Sequence, residues 1–193
     1  GRSHTRRHCL TSSGIENLVV TGKEADGTQV YSSTITIDNA TSDITNVTGA
    51  TTKDKIVLES AATVDLGSWT FANIAEVKTE SGVAQAVTVE QSQLSQVKRW
   101  VADNASDTLV LEVDTGVSSQ TWDLTGNYFN GWAGLDDTGS VKTTLVVDQA
   151  TLAGFANDSA SEQYEITLDS GDTLSVKGDA DLSPTLHSVG AAS

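Results

Sequence analysis

The fold is decided by a short stretch that occurs twice in the chain. It reads AVTVEQSQL at residues 86–94 and TLVVDQATL at residues 144–152. Further matches recur at the same spacing: TVDL at 63–66 with TWDL at 121–124, Phe71 with Phe129, and a last Asp-Leu pair at Asp181-Leu182. A unit of about 58 residues buries too little surface to be stable alone, so the repeat indicates one array with a shared core.

Three units account for the chain beyond its first residues. They cover residues 14–72, 73–130 and 131–193, which predicts a single repeat domain from 14 to 193. Residues 1–13 differ in composition, since they hold the only Cys and no carboxylate. We interpret them as an added leader that is disordered and lies outside the domain.

The apolar residues of each unit form short β-branched runs bounded by Asp, Asn, Ser and Gly, which is typical of strands joined by turns. The clearest runs are Thr34–Ile37, Ile56–Leu58, Val87–Val89, Leu109–Val113, Leu145–Val147 and Ile166–Leu168. Apolar spacing within Gln91–Asn104 and Gln149–Asp158 predicts a short turn of helix in each.

The repeat and the strands together predict an all-β fold. We expect a parallel β-solenoid in which each unit forms two or three rungs, with Leu, Ile and Val stacked inside. The alternative is a closed fold with threefold internal symmetry, such as a β-trefoil or β-prism, which also needs three similar units.

Charge and composition exclude several functions. Beyond residue 13 there are 26 acidic side chains and 8 basic ones, an excess of 18 negative charges. Such a surface repels phosphate backbones, so nucleic acid is not an expected partner. No run reaches the roughly 18 apolar residues that span a bilayer, so we expect no membrane insertion. His187 is the only His of the body, which gives little support to His-dependent catalysis, and we expect no enzyme.

Four short stretches resemble known sequences: GIENL at 14–18, NIAEV at 73–77, DTLVL at 107–111 and GDTL at 171–174. They are similar to the spacer and solenoid regions of bacterial type I-secreted RTX adhesins and RTX-like surface-layer proteins. The resemblance implies an extracellular, β-rich, often calcium-stabilised module used for adhesion or as a stalk. The tandem calcium nonapeptide of that family is absent here, so its regular calcium β-roll does not carry over.

Carboxylates dominate the polar side chains of the body and supply its candidate metal ligands. Asp169, Asp172, Asp179 and Asp181 lie close together in the sequence, beside Gly171 and Gly178. Oxygen ligands on tight turns suit Ca²⁺, which makes calcium a candidate cofactor, although the sequence requires none. The alternative is that these residues are solvated corners that close turns.

Two sets of polar residues recur at the repeat spacing. Asp65, Asp123 and Asp181 would stack on a solenoid, and like charges would then repel; the favoured alternative is that each caps a turn through a backbone N–H. Asn39, Gln91 and Gln149 also align, which predicts a stacked amide ladder. Trp122 and Trp132 align with apolar residues and are expected in the core rather than in a sugar-binding strip.

The sequence therefore predicts a non-catalytic structural or adhesion module of a bacterial secreted or cell-surface protein. Its expected partners are other regions of a longer parent chain, neighbouring copies, or a glycan. The alternative is a carbohydrate-binding module, and the second alternative is a carbohydrate-active solenoid enzyme that uses carboxylates.

Overall fold

The computed structural model describes residues 7–10, 17–20, 32–38, 44–59, 62–80, 82–114, 116–138, 141–155, 164–179 and 186–187. These residues form short strands and two helices, and every pairing between described strands is parallel.

The strands line three sides of a solenoid. The first side holds β1 (Arg7–Leu10), β3 (Thr34–Asp38), β5 (Asp54–Glu59), β8 (Ile74–Thr79), β10 (Arg99–Val101) and β13 (Tyr128–Asn130). The second holds β6 (Thr63–Asp65), β9 (Ala86–Val89), β11 (Thr108–Glu112), β14 (Gly134–Thr138), β16 (Tyr164–Thr167) and β18 (Leu186–His187). The third holds two sheets, β2 (Asn17–Val19), β4 (Asn46–Thr48) and β7 (Thr70–Ala72), then β12 (Ser119–Asp123), β15 (Lys142–Val147) and β17 (Thr173–Val176).

The chain visits the three sides in a fixed order, and one visit to each makes a coil. Four successive coils are complete among the described residues: coil 1 at 54–72, coil 2 at 74–96, coil 3 at 99–123 and coil 4 at 128–147. Two helices replace strands in this scheme. Helix α1 (Gln91–Gln96) forms the third side of coil 2 and packs on β7, while α2 (Gln149–Ala153) lies on the first side and packs on β13.

The core consists of apolar columns that run along the axis of the solenoid. On the first side the column is Ile35, Ile56, Val77, Trp100 and Phe129, each in register with the next. The second side contributes Val64, Val87, Leu109, Leu135 and Ile166 in the same way. All of these side chains are buried. Burial of one such side chain contributes about 1.5–3 kcal/mol, so the columns hold successive coils together.

Buried acidic residues secure two corners of the core. The Asp54 carboxylate accepts hydrogen bonds from the backbone N–H groups of Ser33 (2.9 Å) and Ala50 (2.6 Å). Asp107 accepts from the Gln85 N–H at 2.7 Å and from the Thr79 hydroxyl. These carboxylates accept hydrogen bonds from turn N–H groups inside the protein. Their burial is therefore compensated by hydrogen bonds.

The prediction of an all-β parallel solenoid is confirmed, and the closed threefold alternative is wrong because parallel coils stack along one axis. Every predicted strand run lies on a strand of the structure, although Val113 and Leu168 fall just beyond their ends. The two short helices are also confirmed. Residues 7–10 of the expected leader form β1, which pairs with β3 on the first side. That residues 1–13 lie outside the repeat domain stays a prediction. The other leader residues lie outside the described ranges.

The sequence repeat does not return the chain to the same side. It relates β6 on the second side to β12 on the third, β7 on the third to β13 on the first, and α1 to α2. One repeat is therefore two coils plus one further side. Residues with similar sequence lie on neighbouring sides, and the residues that stack are separated instead by one coil, as Ile56 and Val77 are.

Candidate functional site

Carboxylates recur from β6 to β16 along the corner between the second and third sides, which we call the acidic edge. Its members are Asp65, Glu90, Glu112, Asp114, Asp136, Asp137, Asp169 and Asp172. Burial raises the pKa of Glu90, and the charges of Asp114, Glu112 and Asp65 raise it further. The members therefore interact across coils, so negative charge accumulates along this corner.

Asp137 is the unusual member of the acidic edge because it faces inward. It stands in register with Leu111, which in turn stands in register with Val89, so it takes a place that two coils fill with apolar side chains. The residue is 5% exposed, and its Oδ1 has no hydrogen-bond partner among the described residues. Burial raises its pKa to about 6; a hydrogen bond from Thr143 opposes this shift, and the nearby charges of Asp172, Asp169 and Asp136 add to it.

The next coil adds two carboxylates beside Asp137. Asp172 accepts hydrogen bonds from the backbone N–H groups of Thr143 (2.7 Å) and Asp169 (2.8 Å), so each of its oxygens already holds one turn in place. Burial raises the pKa of Asp136, and the charge of Asp169 raises it further. The corner thus gathers Asp136, Asp137, Asp169 and Asp172, of which Asp137 is buried.

The structure brings together only part of the predicted metal set. Asp169 and Asp172 are neighbours in the turn before β17, whereas Asp179 is exposed beyond the end of that strand. Asp181 lies outside the described residues. Within the described ranges, no group of three or more His, Cys, Asp or Glu side chains is arranged to hold a metal ion. A calcium site that uses all four residues stays a prediction.

Asp65 and Asp123 do not stack, because the repeat places them on different sides. Instead each caps its own turn: Asp65 Oδ1 accepts from the Gly67 N–H at 2.8 Å, and Asp123 Oδ1 accepts from the Thr125 N–H at 3.1 Å. The capping alternative is confirmed for both. The third aspartate of this set, at position 181, lies outside the described ranges. Hydrogen bonds from Lys177 and Thr125 lower the pKa of Asp123 to about 2.

The predicted amide ladder fails for the same reason. Gln91 begins α1 on the third side and Gln149 begins α2 on the first side, so the two amides do not stack. Asn39 lies outside the described residues. Gln93 is one of the amides that do join coils, since its Nε2 donates to the carbonyl oxygens of Gly67 (3.0 Å) and Trp69 (2.7 Å) in the coil below.

A mixed-charge row crosses the outer surface of the first side. Glu76 lies between Lys55, whose Nζ is 2.9 Å from Oε1, and Arg99, whose Nε donates to Oε2. The Arg99 guanidinium in turn sits 4.1 Å above the ring centre of Tyr128. Burial acts to raise the pKa of Glu76, but hydrogen bonds from Lys55 and Arg99 outweigh it and hold the pKa below its ordinary value.

A small recess opens where α1 interrupts the third side. It has a volume of about 80 Å³ and is lined by Gln91, Leu94, Ser95, Lys98, Trp122, Asp123 and Asn127. Leu94, Trp122 and Asn127 are buried, while the other four lining residues are exposed and form the rim. The indole N–H of Trp122 is buried and has no hydrogen-bond partner in the described part of the chain.

The tryptophans otherwise behave as the repeat predicts. Trp122 and Trp132 are both buried in the core. Trp132 donates its indole N–H to the Trp100 carbonyl (3.1 Å), and Trp100 donates to the Val97 carbonyl (3.0 Å). A buried indole N–H usually finds such a partner, so the Trp122 donor, which has none among the described residues, is an exception.

Two features of the site were not predicted from the sequence. They are the inward place of Asp137 and the recess beside α1. The inward place of Asp137 follows from its pairing with Leu111 in the coil below, which is a structural register rather than a sequence repeat. No alignment of the repeat units could show it.

Comparisons with known proteins add no relative. No protein-family model, no curated protein and no solved structure matches the chain. Neither described helix has the length and apolar character needed to cross a membrane.

Proposed function

We propose that the chain is a non-catalytic structural or adhesive module of a bacterial secreted or cell-surface protein. The observation that carries this proposal is the continuity of the core, because apolar columns run in register through all four complete coils. An array of this kind transmits load along its axis through strand hydrogen bonds and stacked side chains.

The polar groups support a structural role. Asp54, Asp107 and Gln93 bind backbone groups of neighbouring turns, and Glu76 joins cations of two other coils. These side chains are engaged in holding coils to one another. Catalysis by a carboxylate pair, the second alternative, would need two carboxylates free to face a substrate. On the acidic edge, Asp65 Oδ1 and both oxygens of Asp172 already accept turn N–H groups.

Single-molecule force spectroscopy tests the structural role. The chain is tethered between two marker domains and stretched from its ends. A load-bearing module is expected to resist until discrete steps release one coil at a time. Smooth extension at low force, as for a Gly/Ser linker of equal length, would contradict the proposal.

A second candidate function is glycan binding, and the recess beside α1 favours it.

Turnover of a polysaccharide is the measurement that separates glycan binding from catalysis. Incubation with acidic polysaccharides is expected to yield no new reducing ends and no unsaturated products, and either product would identify a carbohydrate-active enzyme instead.

A further inference from the structure

Asn130 and Gly131 form the only Asn-Gly pair among the eight asparagines of the chain. Asn130 is the last residue of β13 and is exposed at the surface of the first side. Gly131 is also exposed and has a φ of 78°, a backbone conformation that favours glycine. Because glycine has no Cβ to shield its backbone nitrogen, a neighbouring group can approach that nitrogen closely.

The two groups of this pair that can react with each other are both free. Among the described residues, neither the side-chain amide of Asn130 nor the backbone N–H of Gly131 has a hydrogen-bond partner. Asn127 shows the opposite arrangement, since it is buried and its Nδ2 donates to the carbonyl oxygens of Leu94 (2.8 Å) and Val97 (3.2 Å). Hydrogen bonds therefore hold the amide of Asn127 in place but not the amide of Asn130.

We propose that Asn130 is a site of spontaneous deamidation, with water as the only co-reactant. The backbone nitrogen of Gly131 attacks Cγ of Asn130. A bond forms between these two atoms and the bond from Cγ to Nδ2 breaks, so that Nδ2 takes the proton of the former N–H and leaves as ammonia. Water then opens the resulting cyclic imide at one of its two carbonyl groups. Opening at the α-carbonyl gives isoaspartate, and opening at Cγ gives aspartate.

The packing of Gly131 gives isoaspartate a structural effect, because the main chain of isoaspartate runs through the side chain and is longer by one carbon atom. A Cβ on Gly131 would lie 2.7 Å from the Ala102 carbonyl oxygen, so its backbone packs closely on the coil below. The next residue, Trp132, is buried and donates its backbone N–H to the Gly154 carbonyl (3.2 Å) at the end of α2. A longer main chain cannot keep both contacts, so we expect isoaspartate to loosen the corner between coils 3 and 4.

Ageing of the folded chain at pH 8 tests the proposal, since deprotonation of the Gly131 N–H promotes the attack. Wild type and Asn130→Gln are incubated side by side. Glutamine keeps an amide at this exposed position but closes the corresponding larger ring much more slowly. Peptide mapping by mass spectrometry follows each asparagine separately, and labelling by an isoaspartyl methyltransferase measures isoaspartate in the intact chain. The other asparagines of the chain are internal references.

The expected result is conversion of Asn130 to aspartate and isoaspartate before any other asparagine changes, with loss of the isoaspartate signal in Asn130→Gln. Aged wild type is expected to melt at a lower temperature than fresh protein, whereas aged Asn130→Gln keeps its initial melting temperature. Conversion of Asn130 only after unfolding in urea would overturn the proposal, because the fold would then protect the pair. An isoaspartate signal of equal size in Asn130→Gln would overturn it as well, and an unchanged melting temperature after conversion would overturn the structural effect.

Discussion

Asp137 places a carboxylate at a position that two other coils fill with the apolar side chains of Leu111 and Val89. Burial raises its pKa from 3.8 to about 6, so the folded state binds a proton more tightly than the unfolded state. The contribution of Asp137 to the free energy of unfolding is therefore expected to rise as the pH falls through about 6 and to level off near the unfolded pKa. A shift of this size corresponds to roughly 3 kcal/mol.

The variant Asp137→Asn tests this account, since it keeps the size of the side chain and removes the charge. At pH 7 it is expected to raise the free energy of unfolding by about 2 kcal/mol, and at pH 4 the gain is expected to vanish because the wild-type carboxyl is then protonated. Urea unfolding across this range gives the measurement. The control Asp179→Asn removes an equal charge from an exposed turn. A gain independent of pH would contradict the account.

Glu76 has the opposite pH dependence. Its pKa is lower in the folded state than the ordinary value of 4.5. The carboxylate therefore contributes its full stabilisation of the fold above pH 4.5 and loses it as the pH falls through the folded pKa. The variant Glu76→Gln leaves Lys55 and Arg99 without their shared carboxylate. Because both cations are about half exposed, we expect a loss of only about 1–2 kcal/mol.

The control for Glu76 is Lys78→Gln, which breaks the more exposed ion pair with Asp103 on the same side. It is expected to cost less than about 1 kcal/mol. Thermal unfolding of the two variants at neutral pH compares them directly. Equal losses would show that the Glu76 pair is an ordinary surface contact and that its burial contributes nothing.

The packing of α2 on β13 depends on Gly154. Gly154 ends α2 against β13, and a Cβ at this position would lie 2.4 Å from the Phe129 Cβ and 2.6 Å from the Phe129 carbonyl carbon. The backbone φ of Gly154 is −72°, which any residue can adopt. Glycine is therefore required here because a side chain would clash with Phe129. Gly154→Ala must displace α2 from the coil below, and we expect a loss of about 2–3 kcal/mol in the free energy of unfolding.

Gly82→Ala is the matched control for Gly154, because a Cβ there meets no atom within 4 Å. Its stability is expected to change by less than about 0.5 kcal/mol, or to rise slightly as the unfolded chain loses freedom. Differential scanning calorimetry of both variants measures the contrast. Similar melting temperatures would mean that α2 does not pack closely on β13.

Element type was predictable from the sequence because it depends on local properties. The β-branched runs and the Gln-led segments form strands and short helices where the pattern placed them. Position within the solenoid was not predictable in the same way. Trp122 resembles Val64 at the repeat spacing, yet it stacks on Leu145 and lies on another side. Similar sequence produces similar conformation, while stacking depends on the length of each coil.

Coil length varies because the corners vary. The stretch of chain from Trp100 to Phe129 is longer than the stretch from Ile56 to Val77, and no pattern of apolar residues records the difference. The recess and the inward Asp137 both depend on contacts between coils. The sequence therefore predicted the capping role of Asp65 and Asp123, which is local, but neither of these two features.

At the scale of the whole molecule, the repeat advances around the axis as well as along it. Each repeat unit adds two coils and one side, so equivalent outer surfaces appear on successive sides. An array built this way cannot present identical binding groups in a straight row. The acidic edge is continuous nonetheless, because carboxylates lie at the ends of β6, β9, β11, β14 and β16 irrespective of the repeat.

The acidic edge leads to the last prediction, which concerns divalent cations. A calcium site made of hard oxygen ligands would raise the melting temperature with CaCl₂ but not with MgCl₂ at equal ionic strength, since Mg²⁺ is smaller and dehydrates reluctantly. Screening of the acidic edge would instead raise it with both salts. The described carboxylates form no group of three suited to a metal, and both Asp172 oxygens already accept backbone N–H groups. We therefore expect equal rises over an EDTA control. A rise specific to calcium would point to ligands beyond the described residues, with Asp181 the first to replace by Asn.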